Sequence, residues 1–143
     1  MRHQVHVTFL ISGFDDINHE DLEKALDIKP AYVHKKGEPK SSISSALAKD
    51  NIFWIGSGLD PYQSFRDQMD ALIGILKNRY PILKEFARRY ECEISCAAYM
   101  RYDNDQSLPS INLSRSDIEF MAELGIEDFD VDLYVLPDKP EVE

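Results

Sequence analysis

Residues 62–90, YQSFRDQMDALIGILKNRYPILKEFARRY, are the stretch whose reading decides the fold. Phe65, Met69, Leu72, Ile73, Leu76, Tyr80, Leu83, Phe86, Ala87 and Tyr90 follow one another at steps of three and four. At 3.6 residues per turn they form one apolar stripe, with Asp67, Asp70, Lys77, Lys84 and Arg88 mostly off it. Pro81 divides the run, because an interior proline removes a backbone donor and clashes with the preceding turn. The spacing therefore predicts helices over about 62–78 and 81–90, as separate pieces or one kinked rod. Proline opens the second, where its missing N–H is harmless. An apolar stripe this broad needs a sheet to lie on, and strand-like segments flank it on both sides.

Upstream, Val5, Val7, Phe9 and Ile11 alternate with Gln4, His6, Thr8 and Leu10, the period of a half-buried strand that Gly13 ends. Asn18, with Asp21 three residues on, caps a short helix whose apolar side is Leu22, Ala25 and Leu26 and which Pro30 bounds. Residues 29–50 are the least regular, with the Lys35-Lys36-Gly37-Glu38-Pro39 turn, a serine-rich run and a helical turn expected at 46–49. A loop of that length in a compact domain is functional or mobile. Ile52–Gly56 reads as a second strand, and Gly56, Ser57, Gly58 and Pro61 as the turn into the long helix.

Downstream, Cys92, Ile94, Cys96, Ala98 and Met100 alternate with Glu93, Ser95, Ala97 and Tyr99. Asp103-Asn104-Asp105 then reads as a polar turn, and Ser110–Leu113 as a short partner strand. Ser114 with Asp117 resembles a capping box ahead of Ile118, Met121, Ala122 and Leu124, and Gly125 stops that helix. Phe129, Val131, Leu133 and Val135 alternate with Asp130, Asp132 and Tyr134 in a last strand, before an acidic tail at 137–143 that is expected to be disordered. The order β-α-β-α-β-β-α-β, related to the ferredoxin-like arrangement, makes residues 1–136 one α+β domain. It predicts a mostly antiparallel sheet of four to five strands with the helices packed on one face.

A chain of 143 residues is long enough to bury about two thirds of its unfolded surface in one domain without staples. No apolar run approaches the roughly 20 residues needed to span a bilayer, and no continuous apolar segment precedes the first strand as a signal peptide would. Cys92 and Cys96, the only cysteines, would lie about 13 Å apart on one strand, too far for a disulfide. They read as reduced core residues of a cytoplasmic protein. The net charge is −10, and from Asp103 onward twelve acidic side chains face only Arg115 and Lys139. An acidic surface repels phosphate backbones, which excludes nucleic acid as the main partner and suits either a basic protein or simple solubility.

Leu26-Asp27-Ile28-Lys29-Pro30, Lys36-Gly37-Glu38, Trp54 with Ser57-Gly58-Leu59, and Leu124-Gly125 ahead of Asp130-Val131-Asp132-Leu133-Tyr134 occur in an order that resembles a bacterial domain-of-unknown-function family, number forty-two seventy-nine. The resemblance spans about Val5 to Val135. It implies a small α+β fold and points to no particular activity, because none is established for the family. Asp27 stands where the family more often carries glycine, and His34 where it more often carries an aromatic residue.

No catalytic or cofactor chemistry emerges, so the expectation is no cofactor, no metal and, more than not, no enzyme. His3 and His6 are three apart and face opposite sides of a strand, while His19 and His34 lie in separate segments without cysteines nearby. There is no glycine-flanked serine elbow. Asp130 and Asp132 share a face and could pair as carboxylates, though the solvated side of a strand is the commoner role. His34, Lys35, Lys36 and Glu38 form a loop candidate for an anion, without phosphate-loop spacing. The remaining candidate is the sheet face away from the helices, carrying His6, Thr8, Leu10, Trp54, Ser95, Tyr99, Asp130, Asp132 and Tyr134. Aromatic and hydrogen-bonding groups together suit an interaction surface. The bland reading has Trp54 tucked under the 29–50 loop. Two functions follow: a binding or regulatory module, immunity-like in one version, that contacts a protein partner or itself; or a small-molecule site, even an enzyme, between that loop and Trp54.

Overall fold

The alternating N-terminal segment becomes the central strand of a five-stranded sheet. The computed structural model describes residues 3–101 and 107–137; the Asp103–Asp105 turn and all of the expected tail beyond Pro137 lie outside the described residues. The elements are β1 (Gln4–Ser12), α1 (His19–Leu26), β2 (Tyr32–His34), β3 (Ile52–Gly56), α2 (Phe65–Lys77), α3 (Tyr80–Arg89), β4 (Glu91–Arg101), α4 (Arg115–Leu124) and β5 (Asp128–Leu136). The strand order is β2-β3-β1-β4-β5. Val5, Val7, Phe9 and Ile11 of β1 are buried with Phe53 and Ile55 of β3 and with Cys92, Ile94 and Cys96 of β4, against Phe65, Met69, Leu72, Leu76, Leu83 and Phe86 of the helices.

The α+β class holds, and the topology departs from expectation in four places. The sheet is mixed, because β5 runs parallel to β4 whereas the other neighbours are antiparallel. A parallel pair needs a crossover of a dozen or more residues, and the connection through α4 supplies it. Ser110–Leu113 is therefore not a strand: Ile111 and Leu113 pack, partly buried, against the core as an extended lead into α4. The 29–50 region contains β2, and residues 37–48 fold back as a hairpin-like arm, not a helical turn. Its rungs are Gly37 N–H to Ala48 C=O at 2.9 Å and Lys40 N–H to Ala46 C=O at 2.9 Å. Finally, the β5 face expected to be buried is covered only at Phe129; Val131 is 41%, Leu133 59% and Val135 57% exposed.

Local chemistry ends each helix where the residues imply. Asn18 and Ser114 each accept from the backbone N–H three residues on, and Asp21 and Asp117 reciprocate, completing two capping boxes. Pro81 lies in the first turn of α3, and Asn78–Arg79 separates it from α2. Asp27 ends α1 in the left-handed region at φ 54°, the only such non-glycine among the described residues. Glycine reaches that region freely, whereas an aspartate there is held against its own preference. The Arg79 Nε donates to the Leu26 carbonyl at 2.5 Å, closing the same helix end.

Of the buried polar side chains, Gln68 and Asp117 tie separate elements together. β3 pairs β1 only from Thr8 to Ser12, so the first half of β1 lacks a neighbour on that side. The Gln68 amide of α2 takes its place, donating to the Val5 carbonyl at 2.6 Å and accepting from Val7 N–H at 3.2 Å. Asp117, buried at the start of α4, accepts two bonds from the Arg66 guanidinium at 2.8 and 3.0 Å and so ties α4 to α2.

Candidate functional site

The strand registers decide which side chains meet on the uncovered face. Leu10 stands opposite Trp54 on one side and Glu93 on the other. Thr8 lies between Gly56 and Ser95, His6 opposite Ala97, and Gln4 opposite Tyr99. On β5, Asp128, Asp130, Asp132 and Tyr134 stand beside Glu93, Ser95, Ala97 and Tyr99.

The expected aromatic group is on one face but divided in two. At one end Trp54 packs on Tyr32 and His34, with ring centroids 5.2 and 4.8 Å away. The Tyr32 hydroxyl donates to the Lys40 carbonyl of the hairpin arm at 2.6 Å, so the arm holds this cluster in place. Burial, reinforced by the charge of Lys40, lowers the His34 pKa below its ordinary 6.5. At the other end Tyr99 and Tyr134 stack at 4.8 Å and 11°, and His6 meets Tyr99 edge-on at 5.6 Å. Six residues of β1 separate the two ends, about 20 Å at strand spacing. Between them the floor is made of Thr8, Gly56, Ser95 and Ala97, all small.

The loop candidates part company in the same way. His34 belongs to the Trp54 cluster, whereas Lys35 pairs with Glu20 at 3.4 Å and Lys36 with Asp15 at 3.6 Å, beside α1. Glu38 is exposed in the arm, its carbonyl accepting from Ala48 N–H. A hollow of about 380 Å³ opens elsewhere, at the start of α2, between His3, Val5, Phe65, Arg66 and Asn112. It contains none of the candidates drawn from the sequence.

Residues 3–136 match a family described as a domain of unknown function, DUF4279. The chain belongs to the DUF4279 family. No curated protein and no solved structure matches it. No helix among the described residues is long and apolar enough to cross a membrane.

Sequence reasoning passed over Glu93, Asp128 and Tyr32. Glu93 shares the alternation of Ser95 and Tyr99, so its place on the open face was readable. Its neighbours were not, because they arrive from β5 by parallel pairing. Burial, then a hydrogen bond with Asp130 and the charges of Asp130, Asp128 and Asp132, push the Glu93 carboxyl up to about 7. None of the ion pairs among the described residues involves these four carboxylates. The two thiols behave oppositely to reactive cysteines: burial and nearby carboxylates push Cys92 up to about 12 and Cys96 to about 11.

A group whose folded pKa lies above its unfolded value stabilises the fold in its protonated form, and that contribution is lost as pH rises. For Glu93 the window runs from the ordinary value of 4.5 to about 7. Glu93→Gln is accordingly expected to match wild type near pH 4.5 and to exceed it at pH 8 by about 1–2 kcal/mol, after discounting for solvent screening. Urea denaturation at the two pH values measures this; an unchanged difference between them would refute the carboxylate crowding.

Proposed function

We propose that this DUF4279 domain is a binding module that contacts a basic protein partner through the uncovered face of its sheet. The observation that supports this most is the row of Glu93, Asp128, Asp130 and Asp132 beside the Tyr99–Tyr134 stack, unmatched by any cation among the described residues. Stacked tyrosines offer large rigid contact area, and unpaired carboxylates at their margin attract and orient a positively charged surface. An immunity-like or regulatory protein that neutralises a basic partner is one concrete form of this reading. The Trp54 end carries less of it, since Tyr32, His34 and the hairpin arm already occupy the ring's surroundings.

Immobilised wild-type protein and a D130N/D132N/Y134A variant, each incubated with lysate of the source cell, test the proposal. Expected is a basic protein that wild type retains at low salt, releases at high salt, and that the variant binds at least about tenfold more weakly. Equal recovery by both proteins would overturn it.

A further inference from the structure

We infer that the outer margin of β5 pairs with β5 of a second copy of this chain, antiparallel, about a two-fold axis through Leu133. β5 is the last strand of the sheet and nine residues long, so its outer N–H and C=O groups face no strand among the described residues. Such an edge is a template for strand pairing unless charged side chains, lysine above all, proline or a bulge blunt it, and the charges of β5, Asp128, Asp130 and Asp132, share one side of the strand. Asp128–Leu136 contains no lysine and no proline. It presents Val131, Leu133 and Val135, all exposed, on the side where the helices should have covered them.

Self-complementarity selects the occupant and the register. With the axis through Leu133, Val131 lies opposite the partner's Val135, and Leu133 opposite the partner's Leu133. On the other face Asp132 then meets the partner's Tyr134, and Asp130 the partner's Leu136, so within Asp130–Leu136 no two carboxylates stand directly opposed. Moving the axis to Asp132 sets that carboxylate against the partner's Asp132, and moving it to Val131 opposes Asp130 to the partner's Asp132. Like charges directly opposite destabilise a strand pair. An axis between Asp132 and Leu133 would set Asp132 opposite the partner's Leu133, whose side chain points to the other face, whereas directly opposite residues of an antiparallel pair share a face, so that register cannot form. The Leu133 register alone lays the whole of Asp130–Leu136 over its copy without opposed acids. It merges six aliphatic side chains into one apolar floor and joins the two open faces side by side.

The pairing is independent of the basic-partner reading, and salt separates them. Asp132 of the two copies would sit diagonally across the seam, about 7–8 Å apart, so screening strengthens self-pairing. Screening weakens contact with a basic protein instead.

Leu133→Cys under mild oxidation is the test, with the light-scattering mass of wild type as a second measurement. In this register Leu133→Cys forms a covalent dimer readily and the V131C/V135C double variant does likewise. Val131→Cys alone does not, because its thiols would be about 13 Å out of register. The buried native thiols contribute little background. Wild type is expected to show twice the 16.5 kDa chain mass at high concentration, more completely at 0.5 M salt, and Leu133→Lys the single mass. A monomer under all conditions, cross-linking of Val131→Cys as fast as that of Leu133→Cys, or uptake of a synthetic strand of alternating lysine and isoleucine by a monomeric chain would each overturn the inference.

Discussion

Gln68→Ala is expected to lower the unfolding free energy by about 3–5 kcal/mol, the largest effect of any polar substitution in this protein. The residue is 2% exposed, and its amide satisfies both the Val5 carbonyl and the Val7 N–H where β1 lacks a strand beside it. A second donation, to the Gln63 carbonyl at 3.1 Å, secures the loop that crosses there. Truncation orphans buried backbone groups at about 1–3 kcal/mol each and adds a cavity. Gln68→Leu separates the two contributions, since leucine fills the space without replacing a bond. It should recover no more than about 1 kcal/mol of the loss. Urea denaturation of the three proteins decides; full recovery by leucine would mean that packing, not hydrogen bonding, fixes this residue.

Asp117→Ala is expected to cost about 3 kcal/mol, by loss of the α4 cap and of the charge-assisted bonds to Arg66. Asp117 is 4% exposed. Arg66 is 36% exposed at its side chain and keeps Asp70 at 2.8 Å, so it is not left as a fully buried orphan charge. That limits the loss below the extreme for a buried pair. Asp117→Asn preserves an acceptor for the Ser114 N–H and should lose about half as much. Burial opposes ionisation of Asp117, but the bonds from Arg66 and the Ser114 backbone outweigh it, so its pKa falls below the ordinary 3.8. A depressed carboxylate stabilises above its unfolded pKa, and the contribution is lost as pH falls through the folded value. The gap between wild type and Asp117→Ala should therefore be full at pH 7 and close only below pH 3.8. Thermal melts across that range measure it.

Residues with a strong local rule were readable in the chain. The three- and four-step stripe from Phe65 to Tyr90, the break at Pro81, the two capping boxes and the stop at Gly125 all depend on neighbours within a few positions. The β1 and β4 alternations likewise assigned inner and outer faces. Ser110–Leu113 misled because Ile111 and Leu113 alternate with polar residues as a strand would, although they pack on the core ahead of α4 without joining the sheet. β2 was too short, at three residues, to leave a period. Glu93 was visible on the correct face, but its crowding with Asp128, Asp130 and Asp132 depends on β5 lying beside β4.

By itself the amino-acid sequence determined the helices, their ends and the inward face of each central strand, because hydrophobic period and capping act over a handful of residues. Only the tertiary structure decided which strands became neighbours. Pairing is chosen by whole-chain closure: β5 reached β4 in parallel through α4, and this brought four carboxylates together. It also left Val131, Leu133 and Val135 beyond the helices' reach, and it divided the aromatic residues between two ends of one sheet.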